Sequence, residues 1–333
     1  MRTRFNFEIP VQREMNQKMP KLVVMIPCFN EEKTLPLVIK SIPKKIKGVK
    51  KVEILVIDDG STDGTGKVAG RLKVHLVSHT QNQGLGVAFR NGLTRALELG
   101  ADIIVNIDAD MQFNPKDIPL LVKPLLERRA DMVTASRFYN KQVIPKNMPL
   151  AKKIGNWSFT RLVNLLTRRK FTDTQCGFRA YSREAALQLN VFNEFTYTQE
   201  VFIALVNKGM KIIEIPIKVK YFKERKAKVS ASLFKYGIQA LMIVIRTFRD
   251  YQPLLFFGIP GASLFSVGFV LTMFSFIYWV TTKRTTPIRM DFWVGSFLVT
   301  IGFLLIVLAL IADMFKRMRR NQEEILYRLK TNK

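Results

Sequence analysis

A chain of 333 residues with a formal net charge of +27 has room for two or three structural units and calls for an anionic partner. Anionic lipid headgroups and a phosphorylated substrate both meet that charge. Nucleic acid is excluded as the leading partner, since neither a zinc-ligand spacing nor an aromatic RNA-binding signature accompanies the basic residues. The two cysteines, Cys28 and Cys176, lie far apart in separate motif-like segments, which argues against a disulfide framework and for a reducing setting.

Residues 1–20 form a basic, polar arm without the apolar run of a signal peptide. Lys21 to Pro27 predicts a strand, then Cys28-Phe29-Asn30-Glu31-Glu32 leads into a helix over Thr34 to Ile42; polar residues at such a junction serve equally well as helix caps. Val52 to Ile57 predicts a second strand, ending in Asp58-Asp59 and a Gly/Ser/Thr loop. Ligands gather outside strand ends of this kind in α/β sheets, although the loop is neither a dinucleotide fingerprint nor a P-loop. Val74 to Ser78 predicts a third strand, and Asn82 to Gly92 a turn opening a helix, a place where anions bind well.

Ile103 to Ile107 is an apolar run that ends in Asp108 and Asp110, with Gln112 beyond. In extended backbone alternate side chains share a face, so these three oxygen donors can converge on a hard divalent cation, which in turn neutralises phosphates. The competing reading is a solvated acidic strand end. Asp131 to Ser136 predicts a further strand ending at Arg137. Strand and helix thus alternate from 21 to 137, the pattern of a parallel sheet covered by helices, with polar residues at the strand ends of 30–31, 58–59, 108–112 and 137.

A proline-containing loop and a basic helix with Lys152, Lys153, Arg161, Arg168 and Arg169 come next. Its charges suit either solvent or a phosphate-bearing ligand. Thr172 to Tyr181 is a dense polar and aromatic cluster, and Lys211 to Val219 predicts a last strand that Pro216 marks as an edge or a bulged one. The predicted divisions are a soluble domain over 21–230, an amphipathic interface helix over 231–250, membrane spans over 252–282 and 292–313, and a basic tail over 314–333. Positive charge in that tail places it, and with it the soluble domain, on the cytoplasmic side of a cell membrane crossed twice. His75 and His79, the two histidines, stand away from the acid clusters and are expected to be structural.

Six segments, IPCFNEE (26–32), VIDDGSTDGT (56–65), NQGLGVAFRNGL (82–93), DADMQF (108–113), ASRF (135–138) and DTQCGFRAYS (173–182), together resemble the inverting family 2 glycosyltransferases. Within that family they are most similar to the polyprenyl-phosphate sugar synthases, the dolichyl-phosphate mannose synthase group. The resemblance implies an α/β GT-A fold whose nucleotide-sugar-binding sheet is covered by helices, followed by the interface helix and two transmembrane helices. It implies that Pro27, Phe29, Glu31, Ile57 and Asp59 surround the nucleoside, and that Asp108, Ala109 and Asp110 meet the diphosphate. Asp108, Asp110 and Gln112 would hold Mg²⁺ or Mn²⁺, while Arg137, Arg225 and Lys228 would approach the phosphates; Asp110 and Arg137 carry the catalytic expectation. Lys152, Lys153, Asp173 and Gln175 are candidates for the acceptor.

The implied reaction moves one hexose from a GDP- or UDP-linked donor to polyprenyl (dolichyl) phosphate at an anionic bilayer, with room for an oligomer. A processive polysaccharide synthase is disfavoured because the Gln-x-x-Arg-Trp motif is missing. A catalytically silent, membrane-anchored nucleotide-binding scaffold is disfavoured by the intact Asp108, Asp110, Gln112 and Arg137.

Overall fold

The computed structural model describes residues 19–145, 147–191, 197–220, 233–286 and 288–331; nearly all of the N-terminal arm lies outside them. Seven strands, β1 (Lys21–Cys28), β2 (Lys51–Asp58), β3 (His75–Ser78), β4 (Ile103–Asn106), β5 (Met132–Ser136), β6 (Arg179–Ser182) and β7 (Ile212–Pro216), form one sheet in the order β3-β2-β1-β4-β6-β5-β7. The helices of the α/β domain are α1 (Leu35–Ser41), α2 (Thr65–Arg71), α3 (Leu85–Glu98), α4 (Ile118–Leu126), α5 (Leu150–Thr167), α6 (Arg183–Gln188) and α7 (Thr198–Asn207). After them come α8 (Leu233–Tyr251), α9 (Ile259–Thr282) and α10 (Arg289–Thr331).

Strand β1 reads as an unbroken apolar run because both faces of the sheet are covered. Its Leu22, Val24 and Ile26 meet Leu35 and Val38 of α1 and the apolar side of α4. Its Val23 and Met25 point the other way, toward Phe89 and Leu93 of α3 and, in the same cluster, Val201 and Phe202 of α7. Strands β3, β2, β1 and β4 are parallel, as the strand–helix alternation predicts. The polar cluster of 172–181 hides a strand: β6 runs antiparallel between β4 and β5. Four residues opened by a buried arginine carry no periodic signal. Strand β7 does lie at an edge. Because the chain proceeds from β1 to β2 on one side and returns to β4 on the other, the order reverses between β1 and β4. Ligands of open α/β sheets collect in the crevice at such a point.

Helix α8 is two-sided. Ile243, Val244 and Thr247 are buried on the domain, while Ile238, Leu241, Met242, Arg246 and Arg249 are exposed. It leads into two candidate membrane spans, Leu254–Thr282 and Arg289–Thr331, each long and apolar enough over an 18-residue stretch to cross a membrane. The two form a tight antiparallel hairpin along buried small residues seven apart, Gly261, Gly268 and Ser275 on one helix and Gly295, Gly302 and Ala309 on the other, with Gly261 against Gly302 and Gly268 against Gly295. A Cβ on Gly302 would stand 2.4 Å from the Phe265 backbone nitrogen. Small residues at this spacing let helix backbones approach where lipid supplies no hydrophobic drive.

The expected span over 292–313 and most of the basic tail over 314–333 lie in one helix of 43 residues, about 64 Å long and so about twice the hydrocarbon thickness of a bilayer. Its last turns return to the α/β domain. Arg319 bonds Asp250 at 3.2 Å and lies over the Tyr251 ring at 4.9 Å. Glu323 pairs with Lys208 at 2.8 Å, Tyr327 donates to Glu184 at 2.9 Å, and Lys330 donates to the Leu189 carbonyl at 2.9 Å.

Candidate active site

The loops that follow β1, β2 and β4 meet at the carboxyl edge of the sheet, and backbone-to-side-chain bonds tie the first two together. Asn30, in the left-handed region at φ 56°, accepts through Oδ1 from the Thr62 nitrogen at 2.8 Å, while its own nitrogen donates to Ser61 Oγ at 2.9 Å. The Glu31 nitrogen donates to Thr65 Oγ1 at 2.8 Å. Pro27 is buried at the end of β1, with Phe29 and Glu31 half-buried at the rim. Ile57 is wholly buried among α3 side chains, so its backbone is what it can offer a ligand.

Asp59 is a knot between the loop after β2 and the loop after β3. Its carboxylate accepts from His79 Nδ1 at 2.7 Å and from the Gln83 and Gly84 nitrogens at 2.9 and 3.0 Å. His79 is therefore not remote from the strand-end acids, contrary to expectation: chain folding closes twenty residues of separation. Its other ring nitrogen meets Asn91 Nδ2 at 2.9 Å. The close approach of the loops explains Gly60, at φ 68°, where a Cβ would stand 2.3 Å from the Gln81 carbonyl carbon.

The backbone leaves the sheet after Asn106, turns at Ala109 and Asp110, and takes φ 60° at Met111. The extended run through Gln112 that alternate spacing suggested is thus not realised. Pairing with β6 ends at Asn106↔Arg179, and Asp110 Oδ1 accepts from the Gln112 nitrogen at 3.0 Å, the bond of an Asx turn. Asp108 is half-buried at the sheet's edge, and burial together with the Asp110 carboxylate pushes it up to about 7 against the pull of the Arg137 and Arg179 guanidiniums. Gly177 leaves the space over this carboxylate open, for a Cβ there would be 3.1 Å from Asp108 Oδ2.

Among the described residues no three His, Cys, Asp or Glu side chains converge into a ready cation site. The donors present, two mutually repelling carboxylates beside an amide under a side-chain-free glycine, fit a hard divalent ion that completes its shell with phosphate and water oxygens.

Arg137, just past β5, is held by Asp173 in a fork: Nε to Oδ2 at 2.6 Å and Nη2 to Oδ1 at 2.9 Å, with the Arg137 backbone nitrogen on Oδ2 at 3.1 Å. Asp173 is wholly buried and Arg137 nearly so, the setting in which a bidentate pair fixes a guanidinium plane. The loop carrying Asp173 is fixed in turn by Glu214 of β7, whose carboxylate accepts from the Thr172 and Asp173 nitrogens, each at 2.9 Å. Asp173 thus serves Arg137 rather than facing solvent. Gln175 donates to the Gly155 carbonyl at 3.3 Å, bringing the first turns of α5, with Lys152 exposed and Lys153 half-buried, beside the same loop. Arg225 and Lys228 lie outside the described residues.

Sequence reasoning missed the layer beneath the carboxylates. Arg179, wholly buried, donates to the Cys176 and Thr174 carbonyls at 2.7 and 3.0 Å and lies over the Phe202 ring at 4.8 Å. Asn106 bridges the Gly177 carbonyl and Tyr197 Oη, both at 2.8 Å, and Tyr197 stacks on Phe89. The one available signal was the density of polar and aromatic residues in 172–181; neither Glu214 nor Asn106 had any.

A family model for glycosyl transferase family 2 matches residues 23–189. The UDP-N-acetylglucosamine–dolichyl-phosphate N-acetylglucosaminyltransferase of Methanococcus voltae is 33% identical over 68% of this chain and 96% of its own length. The polyprenol monophosphomannose synthase of Mycolicibacterium smegmatis is 30% identical over 63% of this chain and 80% of its own. Among solved structures, glucosyl-3-phosphoglycerate synthase from Mycobacterium tuberculosis, in complex with Mn²⁺ and UDP-glucose, superposes with a TM-score of 0.52 at 25% identity, covering 70% of this chain and 79% of that one.

Proposed function

The chain belongs to glycosyl transferase family 2, and from that premise we propose that it moves a single hexose from a GDP- or UDP-linked donor to a polyprenyl (dolichyl-type) phosphate. The observation that carries the proposal is the pairing of Asp108 and Asp110 with the forked Arg137–Asp173 unit at the sheet's switch point. Relatives named for dolichyl-phosphate and polyprenol acceptors support it. The nucleoside would lie over Pro27, Phe29, Glu31 and the Asp59 loops. Asp108, Asp110 and Gln112 would hold Mg²⁺ or Mn²⁺, which supplies positive charge to the departing diphosphate.

The acceptor phosphate is an anion near neutral pH, so its oxygen attacks the anomeric carbon without a protein base. A C–O bond forms to the acceptor as the bond to the donor β-phosphate breaks, and the electron pair leaves with the nucleoside diphosphate. In-line displacement inverts the anomeric centre. What the protein must do is hold two anions together. Arg137, its plane set by Asp173, is placed to offset their repulsion, and this preorganised charge is the main source of rate.

The position of α10 supports a membrane-borne acceptor. Tyr197, at the start of α7, reaches Asn106 at the carboxyl end of β4, whereas Ser182, where α6 starts, pairs with Ile103 at the amino end. Arg319 lies beside Tyr251, close to the hairpin, and Lys330, roughly 16 Å farther along the helix, lies against Leu189 just past α6. Moving away from the bilayer along α10 therefore leads from the catalytic edge of the sheet to its other end. The catalytic edge faces the lipid. With both domain-side ends of the hairpin on one side and their positive charge, the domain is cytoplasmic.

The test is nucleoside diphosphate release by purified protein from a panel of GDP- and UDP-sugars, with and without short-chain polyprenyl phosphate. The expected result is release from one donor that requires both acceptor and divalent ion. Release indifferent to the lipid phosphate, or none from any donor with nucleotide still bound, would overturn the reading, the latter in favour of a scaffold.

A further inference from the structure

Arg179 is a buried cation without a counter-ion bonded to it. It opens β6, wholly buried, and its backbone pairs with Asn106 of β4 and Thr134 of β5. Its Nε and Nη2 donate to the Cys176 and Thr174 carbonyls, at 2.7 and 3.0 Å, and Nη1 has no hydrogen-bond partner among the described residues. Aromatic rings face the rest of the group, Phe202 at 4.8 Å and Tyr197 at 5.6 Å. Burying a guanidinium with no carboxylate on it is costly, and filling space does not require a charge.

What Arg179 bonds is the irregular loop in front of it, and that loop hangs between two charges of opposite sign. On one side Glu214 of β7, half-buried, accepts from the Thr172 and Asp173 nitrogens, each at 2.9 Å. On the other side Arg179 holds the carbonyls of Thr174 and Cys176. Between them the Thr174 nitrogen donates to Thr160 Oγ1 of α5 at 3.2 Å. An anion thus takes the N–H groups of the loop and a cation takes its carbonyls, which satisfies backbone that no strand or helix could. In the middle stands Asp173, whose carboxylate forks Arg137. Glu214 and Arg179 act on the backbone that carries this carboxylate.

We infer that Arg179 is a positioning residue for the transfer: with Glu214 it clamps the loop over 172–176 so that Asp173 sets the guanidinium plane of Arg137. The inference rests on the proposed function, in which Arg137 offsets the repulsion between donor and acceptor anions. Charge alone does not meet this task. Lysine keeps the charge but lacks the planar fork that spans two carbonyls.

The test uses the full chain with Arg179→Lys, beside Arg137→Ala and the double variant. Hydrogen exchange at the amides of 172–176 is expected to rise at least about tenfold in Arg179→Lys, with the amides of β1 and β4 unchanged. The kcat is expected to fall at least about tenfold. Affinity for the nucleoside diphosphate product, measured with Mn²⁺, is expected to fall no more than it does in Arg137→Ala. The double variant is expected to be no slower than Arg137→Ala alone, because the two residues act as one unit. A role in the core alone would loosen β1 and β4 as well and would multiply its loss with that of Arg137→Ala; this result overturns the inference. So does full turnover in Arg179→Lys, or exchange in the loop that does not change. Should Arg179→Lys fail to fold, Glu214→Gln carries the same expectations from the other side of the loop. A parent chain that transfers no sugar overturns the proposed function instead, and exchange in the loop still decides whether the clamp exists.

Discussion

Asp110 stands beside Asp108 at the carboxyl edge of the sheet, where burial and then the Asp110 charge push the Asp108 carboxyl up to about 7. If Asp110 holds the ion that stabilises the departing diphosphate, Asp110→Asn lowers turnover at least about a hundredfold, the scale of losing one strong electrostatic stabiliser. Near-normal turnover in a folded variant would remove the assignment. Asp173 makes a different prediction, because its carboxylate is committed to Arg137. Asp173→Asn is expected to lower kcat roughly ten- to a hundredfold through a misplaced guanidinium. The double variant with Arg137→Ala should be no slower than Arg137→Ala alone, since residues acting as a unit are not additive. Multiplicative losses in that cycle would mean that Asp173 acts on its own. The sequence made Asp108, Asp110 and Arg137 legible because strand ends are where α/β sheets bind. It did not make Asp173's service to Arg137 legible, because a loop joined to a strand end across thirty-six residues of chain leaves no local pattern.

At the scale of elements, the amino ends of β1, β2 and β3 are joined by Glu53, which meets Lys51 at 2.7 Å and Lys21 and His75 each at 3.0 Å. Burial alone would push this carboxyl up, but the hydrogen bonds from Lys51 and Lys21 outweigh it and hold it down at about 2. The folded value lies below the usual glutamate value of about 4.3. Glu53 therefore contributes stability that is present above that value and lost as pH falls through the folded one. Thermal unfolding of Glu53→Gln should show a lower midpoint than the parent at pH 7, with the gap closing as pH drops from about 4 toward 2; a gap independent of pH would contradict the ion-pair account. The parallel strands were readable as apolar runs between helix signals. The antiparallel β6 was not, and neither was the extent of α10. Its charge pattern after residue 313 describes a tail as well as a helix, and only its contacts with α6, α7 and α8 distinguish the two.

For the whole molecule, the net charge of +27 is concentrated in function where anions must be gathered: at Arg137, on the outer face of α8, and along the strut that α10 makes beside the domain. On the proposed function, that strut sets which edge of the sheet meets the bilayer. The proposed reaction, which joins a soluble nucleotide sugar to a lipid-bound phosphate, needs that geometry, and the hairpin, α8 and the crevice would supply it together. The sharpest measurement is the mass of the lipid product formed from polyprenyl phosphate and the active nucleotide sugar, with and without a chelator of divalent ions. The account predicts a product heavier by one sugar residue, β-linked from an α-linked donor and absent when the ion is removed. A ladder of several sugars on one lipid, or an unchanged lipid beside a consumed donor, would contradict it.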